Sequence, residues 1–275
     1  NKFLPEKNRK FLPIADKDTF VKRFNEEKVC DREKTDESIR KIFDLPDAAT
    51  GTDDEIIRCE DVKISYGNRT ILKNFNWSVK RGEHWALSGE NGAGKSTLLS
   101  LVCADNPQAY ACNISLFGFK RGCGESIWDI KKKIGYVSPE MYRSYKKNLP
   151  AVDIVASGLH DSVGLYKRVT DEEREKVLFW MDIFGVGSLA QRPYLQLSSG
   201  EQRMLLLVRA FVKDPELLVL DEPFHGLDER RRMLARAVID AFCKRKDKTL
   251  IMVTHYEEEY PASIDHKLKL KKIID

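Results

Sequence analysis

Residues 89–97 read Gly89-Glu90-Asn91-Gly92-Ala93-Gly94-Lys95-Ser96-Thr97, and this stretch decides the fold. It fits the phosphate-binding loop pattern, in which two glycines separated by four residues are followed by Lys and Ser. The glycines let successive backbone N–H groups face one anion, and Lys95 adds a positive charge near the terminal phosphates. Ser96 supplies a hydroxyl group for Mg²⁺. The stretch therefore predicts a site for a nucleoside triphosphate.

The residues on either side of the loop favour this interpretation. The sequence predicts a short strand over residues 84–88 and a helix over residues 97–102. The N-terminus of that helix would point at the phosphates, where its dipole and free N–H groups stabilise an anion. The alternative is a Gly-rich turn between a strand and a helix that holds no ligand, and the full pattern in this setting disfavours it.

Composition excludes several classes of protein. The 275 residues are 42% hydrophobic, which is ordinary for a globular protein with a sizeable core. The 47 basic and 43 acidic residues leave a net charge of +4, so no dedicated nucleic-acid binding is expected. The six cysteines show no C-x-x-C spacing, which favours reduced thiols in the cytoplasm. No apolar run approaches the roughly 18 to 20 residues that cross a bilayer.

The chain divides into two parts. Residues 1–54 are a charged N-terminal extension or inter-domain connector, with apolar patterns that predict two short amphipathic helices before Pro46. The first pattern comprises Phe20, Val21 and Phe24, and the second comprises Ile39, Ile42 and Phe43. Residues 47–54 read as a linker. Because the chain begins at Asn1 rather than Met, we expect a fragment, and the extension either joins an upstream domain or packs loosely on the body.

Residues 55–275 predict one α/β domain. Alternating apolar residues from Glu55 to Val79, with a turn at Gly67-Asn68, indicate antiparallel strands, which a strand over residues 113–117 joins. The helix after the phosphate loop should end near Pro107. Residues 126–200 then read as a helical subdomain.

Buried strands and one well-marked helix complete this domain. Thr170 with Glu173 marks a helix start by the capping-box pattern. The apolar runs 217–220 and 250–253 are typical of strands that are buried on both faces of a parallel sheet. The alternation of strands and helices implies a three-layer core.

Two carboxylates follow the first of these runs. Asp221 and Glu222 would stand at the C-terminal edge of a buried strand, where α/β proteins place their ligands. We assign Asp221 to the metal side of the site and Glu222 as general base, because phosphoryl transfer needs a positioned nucleophile. A simple pair at a helix N-terminus is the alternative, and it explains less beside a phosphate loop.

The stretch Leu197-Ser198-Ser199-Gly200-Glu201-Gln202-Arg203 resembles the signature motif of the ATP-binding cassette (ABC) ATPases. The resemblance covers about residue 55 to the C-terminus, and it implies a P-loop NTPase core with an antiparallel β-subdomain and a helical signature subdomain. It also implies ATP and Mg²⁺ as cofactors. In this pattern Tyr66 matches the aromatic residue that stacks on adenine, 226–228 match the loop after the carboxylates, and His255 matches the switch histidine. Packing for Tyr66 and a structural role for His255 remain the alternatives.

The resemblance further implies a partner. In the family, the signature residues sit at a helix N-terminus and bind the γ-phosphate that an opposite cassette holds. Ser198, Ser199, Gly200 and Glu201 would do so here, although Ser199 stands where the family usually has Gly. Two cassettes would then close head to tail over two ATPs. The second cassette would lie upstream in the same chain or be a second copy, and a plain helix cap remains the alternative.

One departure concerns the strand end Ile134-Gly135-Tyr136-Val137. The family usually has Gln shortly after this strand, where it reaches Mg²⁺ and relays movement to the membrane partner. Here Pro139 occupies that place and Glu140 follows, so Glu140 is the expected replacement as an oxygen ligand. The substitution puts conventional coupling to a membrane permease in doubt.

Three segments, 105–110, 125–130 and 139–140, resemble the molybdate-transport type of ATP-binding protein, which carries two cassettes in one chain. This resemblance implies an ATPase that energises import through a separate permease, with a location in the cytoplasm or at the inner face of the membrane. The rival is a soluble nucleotide-gated regulatory or binding cassette without a permease. Fold class does not decide between them.

Overall fold

The structure is a computed structural model that describes residues 37–46, 54–165 and 167–273. The expected helix around Phe20 and the expected linker, except Asp54, lie outside these residues. The second expected amphipathic segment is described, and it ends in a 3-10 turn at Lys41–Asp44. Ile42 in this turn is fully buried and packs in the core of the main body. The segment around it is therefore firmly docked.

A four-stranded antiparallel sheet follows. It comprises β1 (Glu55–Tyr66), β2 (Arg69–Lys80), β4 (Asn113–Leu116) and β5 (Phe119–Lys120), in the order β2-β1-β4-β5. β1 and β2 form the hairpin that the alternating pattern predicts, with the turn at 67–68 between them. The expected antiparallel layer is confirmed.

The second sheet has five parallel strands. They are β3 (His84–Gly89), β6 (Ile134–Val137), β7 (Leu217–Asp221), β8 (Thr249–Val253) and β9 (His266–Leu270), in the order β6-β7-β8-β3-β9. β3 lies between β8 and β9, and β7 lies between β6 and β8. The phosphate loop and the carboxylate pair thus leave the same edge of one sheet, because parallel strands end together.

Seven α-helices of the described residues connect these strands. They are α1 (Lys95–Val102), α2 (Ile127–Lys131), α3 (Pro139–Ser144), α4 (Ala151–Ala156), α5 (Asp171–Ile183), α6 (Ser199–Phe211) and α7 (Glu229–Cys243). Thr170 caps α5 in a capping box with Glu173, as the sequence predicts. α1 ends at Val102, before the expected end near Pro107, because the backbone turns to a left-handed φ of 59° at Ala104; Pro107 then begins a separate 3-10 turn, Pro107–Ala111.

The segment expected to be helical, 126–200, contains one strand. β6 lies within it and pairs with β7 as an edge strand of the parallel sheet. Its four residues are too few to outweigh the helical patterns around them, although Ile134 and Val137 are buried as an edge strand requires. The helical part of this segment therefore belongs mainly to residues after β6.

The parallel strands β7 and β8 are buried on both faces of the sheet. Along β7, Leu218 and Leu220 pack with the helices α4 to α7, whereas Leu217 and Val219 pack with α1 and the antiparallel sheet. This alternation follows from the two-residue period of a strand. The protein therefore has the expected α/β three-layer core, with the loop edges of β3, β7 and β8 left open for a ligand.

Candidate functional site

The phosphate loop joins β3 to α1 by a tight curve. Gly94 precedes the helix with a φ of 99°, a left-handed conformation that favours glycine. A Cβ atom there would lie 2.9 Å from Ile71 Cγ2, so β2 packs closely against the loop. The sequence thus places glycine where the backbone has neither the conformation nor the room for a side chain.

Lys95 lies over the loop that precedes it. Its Nζ donates to the carbonyl oxygens of Gly89, at 2.5 Å, and Glu90, at 3.3 Å. Ser96 and Thr97 follow in the first turn of α1. An ammonium group and a helix N-terminus therefore converge on one point, which is the chemistry that phosphate oxygens require.

A cavity of about 380 Å³ opens in front of the loop. Eleven of the predicted site residues line it: Glu90, Asn91, Gly92, Gly94, Lys95, Ser96, Thr97, Glu140, Asp221, Glu222 and His255. Gly89 and Ala93 belong to the loop but do not line the cavity, and Ala93 is buried. Segments that are far apart in the sequence therefore form one site.

Three carboxylates share one wall of this cavity. Asp221 ends β7 and is 8% exposed, with Glu140 and Glu222 nearby. Burial and, to a smaller extent, the charges of Glu140 and Glu222 raise the pKa of Asp221 to about 6, and the charge of Lys95 opposes them. This wall attracts a cation.

The oxygen donors suit Mg²⁺, which prefers carboxylate and hydroxyl groups. Within the described part of the chain, no three His, Cys, Asp or Glu side chains form a ready-made metal cluster. Ser96 and Asp221, with Glu140, would therefore hold Mg²⁺ together with phosphate oxygens rather than in an all-protein cage. This donor set fits the metal that the sequence predicts.

Glu222 and His255 form a pair at the cavity. His255 Nε2 lies 3.0 Å from Glu222 Oε1, and the two side chains are 50% and 27% exposed. Glu222 has a φ of 48°, a left-handed conformation that costs about 1–2 kcal/mol for a residue other than Gly. Its N–H donates to Val253 O at 2.9 Å, which ties it to β8. Such strain at a carboxylate is typical of a functional site.

Tyr66 lies at the end of β1 and outside the cavity. Its side chain is 51% exposed, and its hydroxyl accepts a hydrogen bond from Asn106 Nδ2 at 3.0 Å. The ring is therefore accessible to a base. Stacking on adenine stays a prediction.

The signature residues do not line the cavity of their own chain. Ser198 caps α6, because its hydroxyl accepts from Glu201 N at 3.3 Å. Glu201 in turn accepts from the Ser198 N–H at 2.8 Å and from its hydroxyl at 2.7 Å, which holds the pKa of Glu201 below its ordinary value. Ser199 and Gly200 form the first turn of the helix. The cap is thus complete within the chain, and its further role as a phosphate contact stays a prediction.

Two arginines that the sequence analysis did not single out also line the cavity. Arg69 lies at the start of β2, and its Nη2 donates to Gly92 O at 3.2 Å. Arg143 lies on α3, three residues after Glu140, and both residues line the cavity. Neither belongs to a motif, and only the position of Arg69 just after the hairpin turn gives any sequence signal.

Comparison with known proteins agrees with this geometry. The ABC transporter family matches residues 72–225. ABC transporter ATP-binding protein ModF of Escherichia coli (strain K12) is 47% identical over 207 residues, which cover 75% of this chain and 42% of ModF. The uncharacterized ABC transporter ATP-binding protein YlmA of Bacillus subtilis (strain 168) is 34% identical, with 79% of this chain and 82% of YlmA covered.

Solved structures show the same fold. The ATP-binding cassette MJ0796 in a dimeric post-hydrolysis state bound to ADP and Pi has a TM-score of 0.66 and 22% identity, and it covers 78% of this chain and 96% of MJ0796. A second dimeric MJ0796 structure has a TM-score of 0.67 at 24% identity, with 78% and 94% covered. At this identity the likeness concerns the fold alone.

The chain therefore belongs to the ABC transporter family. By this family and by the phosphate loop at its site, it is an ATP-binding cassette. The chain spans less than half the length of ModF. Among the helices that the structure describes, none has both the length and the apolar character needed to cross a membrane.

Proposed function

We propose that this cassette hydrolyses ATP with Glu222 as the general base and His255 as its partner. The observation that carries the proposal is the 3.0 Å contact between these two side chains, in a cavity that also contains Lys95 and Asp221. A carboxylate and an imidazole beside a phosphate loop can orient water and remove its proton.

Each residue has a distinct task. Lys95 leaves its backbone contacts to bind the terminal phosphates, and the N-terminus of α1 adds its dipole. Ser96, Asp221 and Glu140 would hold Mg²⁺, which supplies charge neutralisation on the phosphate oxygens when bound. Glu222 accepts the proton of the attacking water, and His255 fixes the carboxylate and donates toward the γ-phosphate. Tyr66 offers a flat face to the adenine.

We further propose that the site is completed by a second cassette. Ser198 and its neighbours lie outside the cavity of their own chain, so a nucleotide phosphate held by a phosphate loop would reach them from another cassette. The second cassette would be upstream in the same longer protein or a second copy of this chain. The dimeric form of MJ0796 gives a precedent within the fold.

Transport is the proposed use of this ATPase, with a permease as its partner and a location at the inner face of the membrane. The sequence resemblance favours a molybdate-type solute. A regulatory or binding cassette without a permease is the second candidate. One observation favours the second: Ser138 caps α3 by accepting from Met141 N at 3.3 Å, and Pro139 opens that helix. The place where the family keeps a Gln is therefore a capped helix.

The test is the variant Glu222→Gln in the purified chain. It keeps the shape of the side chain but cannot accept a proton, so turnover should fall by about 10² to 10⁴ while MgATP affinity is kept. Calorimetry measures the affinity and phosphate release measures the turnover. Near wild-type turnover would place the base elsewhere.

A further inference from the structure

The turn that begins at Glu222 is held by a residue from another element. His225 N donates to Glu222 O at 3.3 Å and closes the turn. Arg203, on α6, donates from Nη1 to His225 O at 2.6 Å and contacts His225 Nδ1 at 2.9 Å. The guanidinium therefore contacts both the backbone and the ring of His225. In the contact with the ring, Arg203 donates the hydrogen bond and His225 Nδ1 accepts it.

Gly226 makes room for this contact. Its φ of 75° is left-handed, and a Cβ atom there would lie 2.9 Å from Arg203 Nε and 3.0 Å from Arg203 Cζ. The guanidinium thus packs directly against the bare backbone that follows the turn. Any larger residue would displace either the turn or the arginine.

The other contact of Arg203 is with α3. The guanidinium carbon lies 5.0 Å from the centre of the Tyr142 ring, within the range of a cation–π contact. Glu140, on the same short helix, lines the cavity. Arg203 therefore contacts the two segments that bring Glu140 and Glu222 to the site.

Arg203 is also rigidly connected to the signature end of α6. Ser198 caps this helix five residues before Arg203, and the apolar residues 204–208 of the helix are fully buried. A buried helix moves as a unit, so a displacement at Ser198 would also displace Arg203. The strained backbone of Glu222 makes its position sensitive to such a movement, because a strained residue keeps its conformation only where its surroundings enforce it.

We propose that Arg203 is a positioning residue for Glu222, which fastens the turn of the general base to the signature helix. The inference rests on the proposed function of Glu222. Through Arg203, the position of the Glu222 carboxylate depends on the position of α6. It therefore also depends on contact between the signature residues and a second cassette.

The experiment compares Arg203→Met in two backgrounds. In the otherwise wild-type chain, kcat should fall about 10- to 100-fold while KM for MgATP changes less than about threefold, since small misplacements of a catalytic group cost about this much. In the Glu222→Gln background, the same change should leave single-turnover hydrolysis within about threefold, because a residue that acts through Glu222 has nothing left to position. An equal loss in both backgrounds would overturn the proposal.

Controls separate positioning from stability and pairing. Arg203→Lys keeps a donor for His225 O and should restore most of kcat, although it loses the planar fork. Arg174→Met, an exposed arginine on α5, should behave as wild type. Rates measured across protein concentrations show whether a loss reflects weaker pairing, and recovery of full kcat at high concentration would also overturn the proposal.

Two further results have defined meanings. If Arg203→Met does not fold, Arg203→Lys is compared in the same two backgrounds. It should lower kcat slightly when Glu222 is present and leave the hydrolysis rate unchanged in the Glu222→Gln background. If Glu222→Gln itself keeps wild-type turnover, the assignment of the base fails, and the positioning role of Arg203 fails with it. A large effect of Glu222→Gln with no effect of Arg203→Met would reject the positioning role alone.

Discussion

Removing the charge of Asp221 should stabilise the nucleotide-free protein. Burial and the carboxylates of Glu140 and Glu222 raise the pKa of Asp221 from its ordinary value of 3.8 to about 6. Because each pKa unit corresponds to about 1.4 kcal/mol, ionising Asp221 in the folded chain costs up to about 3 kcal/mol more than in the unfolded chain. Asp221→Asn keeps the shape of the side chain and avoids this cost.

The pH dependence follows from the sign of the shift. A carboxyl group with a raised pKa in the folded state contributes its full stability below pH 3.8 and loses it as the pH rises through about 6. Wild type and Asp221→Asn should therefore unfold at similar urea concentrations near pH 3.5. Above pH 7 the variant should be more stable by about 1–3 kcal/mol, the range that a cost of this size allows.

The assay is urea unfolding without nucleotide, followed by circular dichroism at several pH values. Addition of MgATP should then reverse the order, since only the wild type gains the proposed metal contact of Asp221. A variant that is no more stable than wild type at pH 8 would refute the reasoning, because it would show that the carboxylate wall carries no electrostatic cost.

Three other predictions concern the loop, the partner and the N-terminal segment. Lys95→Ala should lose measurable MgATP binding by calorimetry and keep its melting temperature, and unchanged affinity would contradict the role of Lys95. In Glu222→Gln protein at roughly tens of micromolar, MgATP should shift the mass by light scattering toward a dimer, and Ser198→Arg should prevent this; a constant monomer mass, even with a candidate first cassette, would reject pairing. Ile42→Ala should destabilise the chain by about 2–5 kcal/mol, whereas Phe43→Ala, at a half-exposed neighbour, should cost far less, and equal effects would show that Ile42 is not an anchor.

The sequence predicted the parts of the fold that local patterns determine. The phosphate loop, the two central strands and the cap at Thr170 depend on neighbours in the chain, and the structure has all of them. β6 was predicted only as the strand end that the resemblance gives, and its place in the sheet was left open, because a four-residue edge strand carries little periodicity of its own. The docking of Ile42 was also left open, since one apolar residue in a charged segment does not reveal whether a complementary pocket exists elsewhere.

The site was predictable to the extent that it consists of motifs. Asp221 and Glu222 come directly after a buried strand, so their place at the sheet edge followed from the pattern of one segment. Arg69 and Arg143 reach the cavity from a hairpin and from a short helix, through contacts between segments that no single segment encodes. Arg203 is a similar case, because its partner His225 is 22 residues away and only the folded chain brings them together.

The charges of the completed cavity explain why metal and nucleotide should bind together. Three permanent cations line it, Lys95, Arg69 and Arg143, against four carboxylates on Glu90, Glu140, Asp221 and Glu222. A bare triphosphate would bring several further negative charges to a wall where burial and the charges of Glu140 and Glu222 already raise the pKa of Asp221. A divalent cation at Asp221 removes that repulsion and favours the ionised form of the same carboxyl group. The arginines that the motifs do not contain reduce the remaining imbalance, so the cavity accepts the phosphates and the metal as one unit.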